Sequence, residues 1–185
     1  MRNIARALLI STLIGSAFFN LVYRANADIL GQRETFFVNK DFDKQGRTLL
    51  QATLQYAGNK TYFYVEDNYW NGLGYADKDI LTRNIQSLAN EFDVTIYPKE
   101  TQFWGLEPNP GIDGDPKITI LLEELIKNNG GYFETSNGYS RNKYPDSNQR
   151  EMIVVSAEIL KSNVNLPKAF LAHEFQHLIS FNQKV

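Results

Sequence analysis

Two histidines stand four residues apart in a chain that holds only those two: His173-Glu174-Phe175-Gln176-His177. On an α-helix, residues i and i+4 project from the same face, so both imidazoles can reach one ion. Zinc takes imidazole nitrogen at ~2.0–2.1 Å and needs no particular d-electron geometry. Glu174 follows the first ligand directly and would flank such an ion. Zinc lowers the pKa of a bound water to ~7, and a carboxylate beside it can take the proton as that water attacks a carbonyl. His173 and His177 are therefore the expected metal ligands and Glu174 the expected general base of a hydrolysis. The same pentapeptide can also arise by coincidence on a surface helix. Against coincidence stand the apolar residues Leu171, Phe175, Leu178 and Ile179, which give that helix a face to bury, and the apolar run Met152 to Val155 ahead of it.

Catalytic zinc normally has three protein ligands and one open position. An extended motif with a third histidine is absent: Ser180 stands where its glycine would be and Gln183 where its histidine would be. No acid lies between His177 and Val185. The third ligand is thus expected either upstream, where Glu123 and Glu124 follow a strand, or beyond Val185. As a pair beside a strand, Glu123 and Glu124 read first as a solvated strand end. Asp113-Gly114-Asp115 is a weak candidate for calcium. Such a loop wants five or more oxygen ligands, and Asp and Gly at turn positions account for it more simply.

The elements that must hold the motif follow from periodicity. Leu50, Ala52, Leu54 and Tyr56 alternate with polar residues, which predicts a half-buried strand, and Thr61 to Val65 pairs with it across a Gly/Asn turn. Thr35 to Val38 is a further short strand. Ile118 to Leu122 and Met152 to Val155 are continuous apolar runs of the kind buried on both faces. Gly130 to Phe133 is a short edge strand that could hold an extended peptide by β-augmentation. Between them Asp77 caps a helix whose stripe is Ile80, Leu81, Ile85, Leu88, Ala89 and Phe92, ended by Pro98 and the turn-dense Gly105 to Pro116. Asn165-Leu166-Pro167 opens the helix of the motif. Strands, helix, strands, helix make an α/β or α+β sheet layer.

The 185 residues carry 19 Lys+Arg, 21 Asp+Glu and no Cys. A net charge of −2 argues against a general nucleic-acid binder. Without cysteine there is no disulfide framework, thiol nucleophile, lipid-modified cysteine or iron–sulfur cluster. Residues 1–27 have the parts of a secretory signal: Arg2 and Arg6, the apolar run Ala7 to Tyr23, and Ala25-Asn26-Ala27 before a cleavage point at Asp28. The run is short and interrupted for a membrane span. The expectation is a cleaved leader without a stable membrane anchor, and a secreted or periplasmic domain over residues 28–185.

The chain resembles the zincin metallopeptidases, and within them the secreted neutral metallopeptidases of the hyicolysin type. The resemblance rests on LAHEFQHLISFNQ (Leu171 to Gln183), TLQYAGNKTYFYVEDN (Thr53 to Asn68), LANEFDVTIYP (Leu88 to Pro98), PGIDGDPKITILL (Pro110 to Leu122) and GGYF (Gly130 to Phe133). It implies an α+β fold, a zincin-like mixed β-sheet with a backing helix and an active-site helix. It implies zinc on His173 and His177, Glu174 as general base, a carboxylate third ligand from a segment after the active-site helix, and protein or peptide substrates. The alternative is an exported zincin-like domain without catalysis that binds peptide or protein partners.

Overall fold

The computed structural model describes residues 27–184; the expected leader lies outside them save for Ala27. Six strands form one mixed sheet in the order β1-β2-β3-β4-β6-β5. β1 (Arg33–Phe37), β2 (Leu49–Ala57) and β3 (Thr61–Glu66) run antiparallel, whereas β3, β4 (Ile118–Glu123) and β6 (Met152–Ser156) are parallel. β5 (Gly131–Tyr132) closes the order as a two-residue antiparallel edge strand on β6. This is the α+β mixed sheet expected from the sequence, compatible with the N-terminal part of a zincin-like domain.

The expected periodicities appear as burial. In β2 Leu50, Ala52 and Leu54 are buried and the residues between them are not, while every residue of β3, β4 and β6 is buried. Successive strand residues point to opposite faces, and two cores result. Phe63, Val65, Ile120, Leu122, Ile153 and Val155 face the helices. Tyr62, Tyr64, Leu121, Met152 and Val154 face the other way, toward Phe36, Leu54 and Tyr132.

The helical layer departs from expectation at several points. The backing helix α2 (Tyr75–Glu91) starts after Gly74 and has no side-chain cap; Asp77 sits within the first turn, where a negative charge suits the helix dipole. Leu81, Ile85, Leu88 and Ala89 are buried, but Ile80 is 37% exposed and falls off the stripe. Pro98 does not end the helical run. A π-helical segment, Phe92–Ile96, leads without a break into α3 (Tyr97–Trp104), and Pro98 is the second residue of α3. Two short helices were not evident in the sequence: α1 (Asp67–Gly72) and α4 (Ala157–Ser162). The last helix, α5 (Asn165–Asn182), has Pro167 in its first turn as expected, and packs on the same sheet face as α2. Among the described residues no helix is long and apolar enough to cross a membrane.

Candidate active site

Leu171, Phe175, Leu178 and Ile179 anchor α5 to the sheet, so its opposite face carries His173 and His177 to the surface. Phe175 is fully buried against Phe92 and Tyr97, with ring centroids 5.0 and 5.6 Å away. The two imidazoles lie nearly perpendicular, and their Nε2 atoms are 3.2 Å apart. Two nitrogens bound at ~2.0–2.1 Å to one tetrahedral ion are separated by about 3.3–3.4 Å. The observed separation is close to that value, and it is also a hydrogen-bond distance for one imidazole donating to the other.

Glu174 is partly buried beside them. Burial pushes its carboxyl above the usual range; His173, His177 and the backbone N–H of Phe133 pull the other way. Phe133 directly follows β5, so the edge strand runs past the carboxylate. Two glycines permit that approach. A Cβ on Gly130 would come within 2.1 Å of the Phe170 ring, and one on Gly138 within 2.7 Å of the Phe181 ring. A cleft of about 420 Å³ opens next to His177, walled by Phe133, Tyr139, Ser180 and Phe181, with Lys184 at its rim. The C-terminal end of α5 is tied down by Asn182, whose Nδ2 donates to the Leu106 carbonyl at 2.9 Å.

The upstream acids do not join the histidines. Glu123 is fully buried, which corrects its reading as a solvated strand end. It accepts a hydrogen bond from Tyr132 at 3.1 Å on the sheet face away from α5. There it lies near Asp43, Glu66 and Arg47, and burial pushes its carboxyl up to about 8. Glu124 pairs with Lys44 at 2.7 Å. Among the described residues no three His, Cys, Asp or Glu side chains converge as a metal-binding group. Asp113 and Asp115 serve the turn: Asp113 accepts from the Asp115 amide, and Asp115 accepts from the Lys117 amide and from Tyr62.

Sequence reasoning missed a buried polar group on the outer face. Arg47 bridges Asp43 at 2.6 Å and Glu66 at 2.5 Å, and both acids are buried. Asp43 and Arg47 lie in the loop before β2 and Glu66 ends β3, which leaves no local pattern to find.

No family model matches the chain. It is similar to the neutral metalloprotease ShpI of Staphylococcus hyicus, 30% identical over 174 residues, which cover 87% of this chain and 36% of that protein. The chain thus spans about a third of the length of this relative. The similarity relates it to the metallopeptidases.

Proposed function

We propose that the chain belongs to a secreted zinc-dependent endopeptidase and supplies its two histidine ligands and its general base. The observation that carries this reading is the 3.2 Å separation of the His173 and His177 Nε2 atoms, which matches two ligands of one ion. When bound, zinc supplies Lewis acidity toward a peptide carbonyl and toward water. Glu174 takes the proton of the attacking water and passes it to the leaving amine. Burial raises its carboxyl above the usual range, against the pull of His173, His177 and the Phe133 backbone. The edge strand beside it is placed to hold an extended peptide, and the cleft next to His177 to receive one of its side chains. A third ligand is expected from a segment following α5.

A second reading is an exported zincin-like domain that binds peptides without cleaving them. The observation in its favour is that no third ligand joins the pair among the described residues. One experiment separates the two. Zinc content after dialysis is measured for the 185-residue chain, His173→Ala and His177→Ala, beside a casein assay with and without chelator. The expected result is weak zinc binding by the parent chain and none by either variant. Zinc retention indifferent to both substitutions would overturn the site. Chelator-sensitive proteolysis excludes the binding-only reading. For a longer chain carrying the segment after α5, stoichiometric zinc without proteolysis would favour it.

A further inference from the structure

Arg150 stands outside the candidate active site, and its charge is spent on the first residues of the described chain. The guanidinium lies over the rings of Phe36 and Tyr64, 5.5 and 5.8 Å from their centroids. Its Nη1 donates to Asp28 Oδ2 at 3.1 Å and to Thr119 Oγ1 at 3.3 Å. The Tyr64 hydroxyl donates to the same Asp28 oxygen at 2.8 Å, and Gln32 Nε2 donates to the other at 3.0 Å. Both carboxylate oxygens are thereby engaged, and the Asp28 side chain is only 13% exposed. The segment behind it is laid along β2: Gly31 N–H donates to the Leu54 carbonyl and Leu54 N–H to the Gln32 carbonyl, at 2.9 and 2.8 Å. The Tyr62 hydroxyl lies within reach of the Asp28 charge and itself donates to Asp115 Oδ2 at 3.1 Å.

We propose that this is a seat for a processed N-terminus: cleavage between Ala27 and Asp28 leaves an α-ammonium beside Tyr62 and Asp115 while Arg150 and Tyr64 hold the Asp28 carboxylate. The hydrolysis consumes one water. Ala27 gains a carboxylate, and the freed amine takes up a proton, since an α-amino group titrates near 7.7–8.0. One neutral donor becomes three charged ones, which make stronger hydrogen bonds. The surroundings favour the added positive charge. Asp28, Asp113, Asp115 and Glu151 gather there, against Arg150 and Lys117. Processing then does more than release the domain; it completes a polar cluster that fastens the first segment across β2, β3 and β4. This inference depends on the expected leader and is independent of the zinc reading.

The test compares thermal unfolding of the chain beginning at Asp28 with the same chain extended by two alanines, and with Asp28→Asn, Arg150→Met and their combination. The extension is expected to lower the Tm by about 2–4 °C. The two substitutions should be strongly non-additive, the double variant unfolding close to the worse single one. If Arg150→Met does not fold, Asp28→Asn combined with Tyr64→Phe carries the same comparison. Equal Tm values for free and extended chains, additive substitutions, or an exported protein whose first residue is not Asp28 would each overturn the proposal.

Discussion

Phe175, midway between the two histidines, stacks on Tyr97 with ring centroids 5.6 Å apart and planes 21° from parallel. Tyr97 opens α3, directly after the π-helical segment, and its hydroxyl donates to the buried Glu107 at 2.8 Å. The rotation of α5 about its own axis, and with it the outward aim of His173 and His177, is set by a ring buried on the opposite face. Phe175→Ala empties a fully buried site. Such truncations cost about 3–5 kcal/mol. Denaturant unfolding should show that loss, with zinc binding by the histidine pair weakened in proportion to the freed rotation of the helix. Full stability in the variant would remove Phe175 from this role.

How far the sequence disclosed this arrangement depended on where each signal lay. α5 was legible because its two histidines and its apolar residues repeat within one helix, and β2 because Leu50, Ala52 and Leu54 repeat at the strand period. Pro98 misled, because a proline marks the first turn of a helix as readily as the end of one, and the π-helical residues Phe92–Ile96 join the two without a break. α1 and α4 are six residues each, too short for a stripe to show. Glu123 looked like a solvated neighbour of Glu124. Only the fold separates the two acids: Glu123 ends β4 on its buried outer face, whereas Glu124 lies past the strand and pairs with Lys44.

Glu174→Gln tests the assigned base. In a chain with a complete metal site, the amide keeps the shape of the side chain but cannot accept the water proton. Turnover should fall by ~10²–10⁴-fold, the usual worth of general-base catalysis. Metal content should be unchanged, because both histidines remain. An undiminished cleavage rate on a protein substrate would show that another group serves as the base.

Gly130→Ala tests the approach of the edge strand to α5. The added Cβ would meet the Phe170 ring at 2.1 Å, so ring or strand must move. Overpacking of this kind costs about 1–3 kcal/mol. The displaced strand would also draw the Phe133 amide away from Glu174. The expected outcome is lower stability in denaturant unfolding together with weaker binding of extended peptides, and Phe170→Ala in the same chain should restore the stability in part. A Gly130→Ala chain as stable as the parent would mean that the contact yields freely.

Glu123 gives the chain a pH dependence on the alkaline side. Burial is the main cause of its raised carboxyl, about 8 against an ordinary 4.5; Asp43 and Glu66 add to it, and Tyr132 and Arg47 oppose it. One of its oxygens, Oε2, is buried without a hydrogen-bond partner. A group whose folded pKa is raised binds its proton more tightly in the folded state. The stability it contributes is complete below about 4.5 and is lost as pH rises through about 8. Glu151, raised to about 7 by burial, acts in the same direction. Glu123→Gln keeps the size and the acceptor for Tyr132 and removes the charge. At pH 8.5 the variant should therefore unfold at higher temperature than the parent, with the gap narrowing toward pH 5, where the parent carboxyl is largely protonated. Thermal unfolding of both chains across that range measures it. A gap that stays constant with pH would mean that Glu123 keeps the same protonation state over the whole interval.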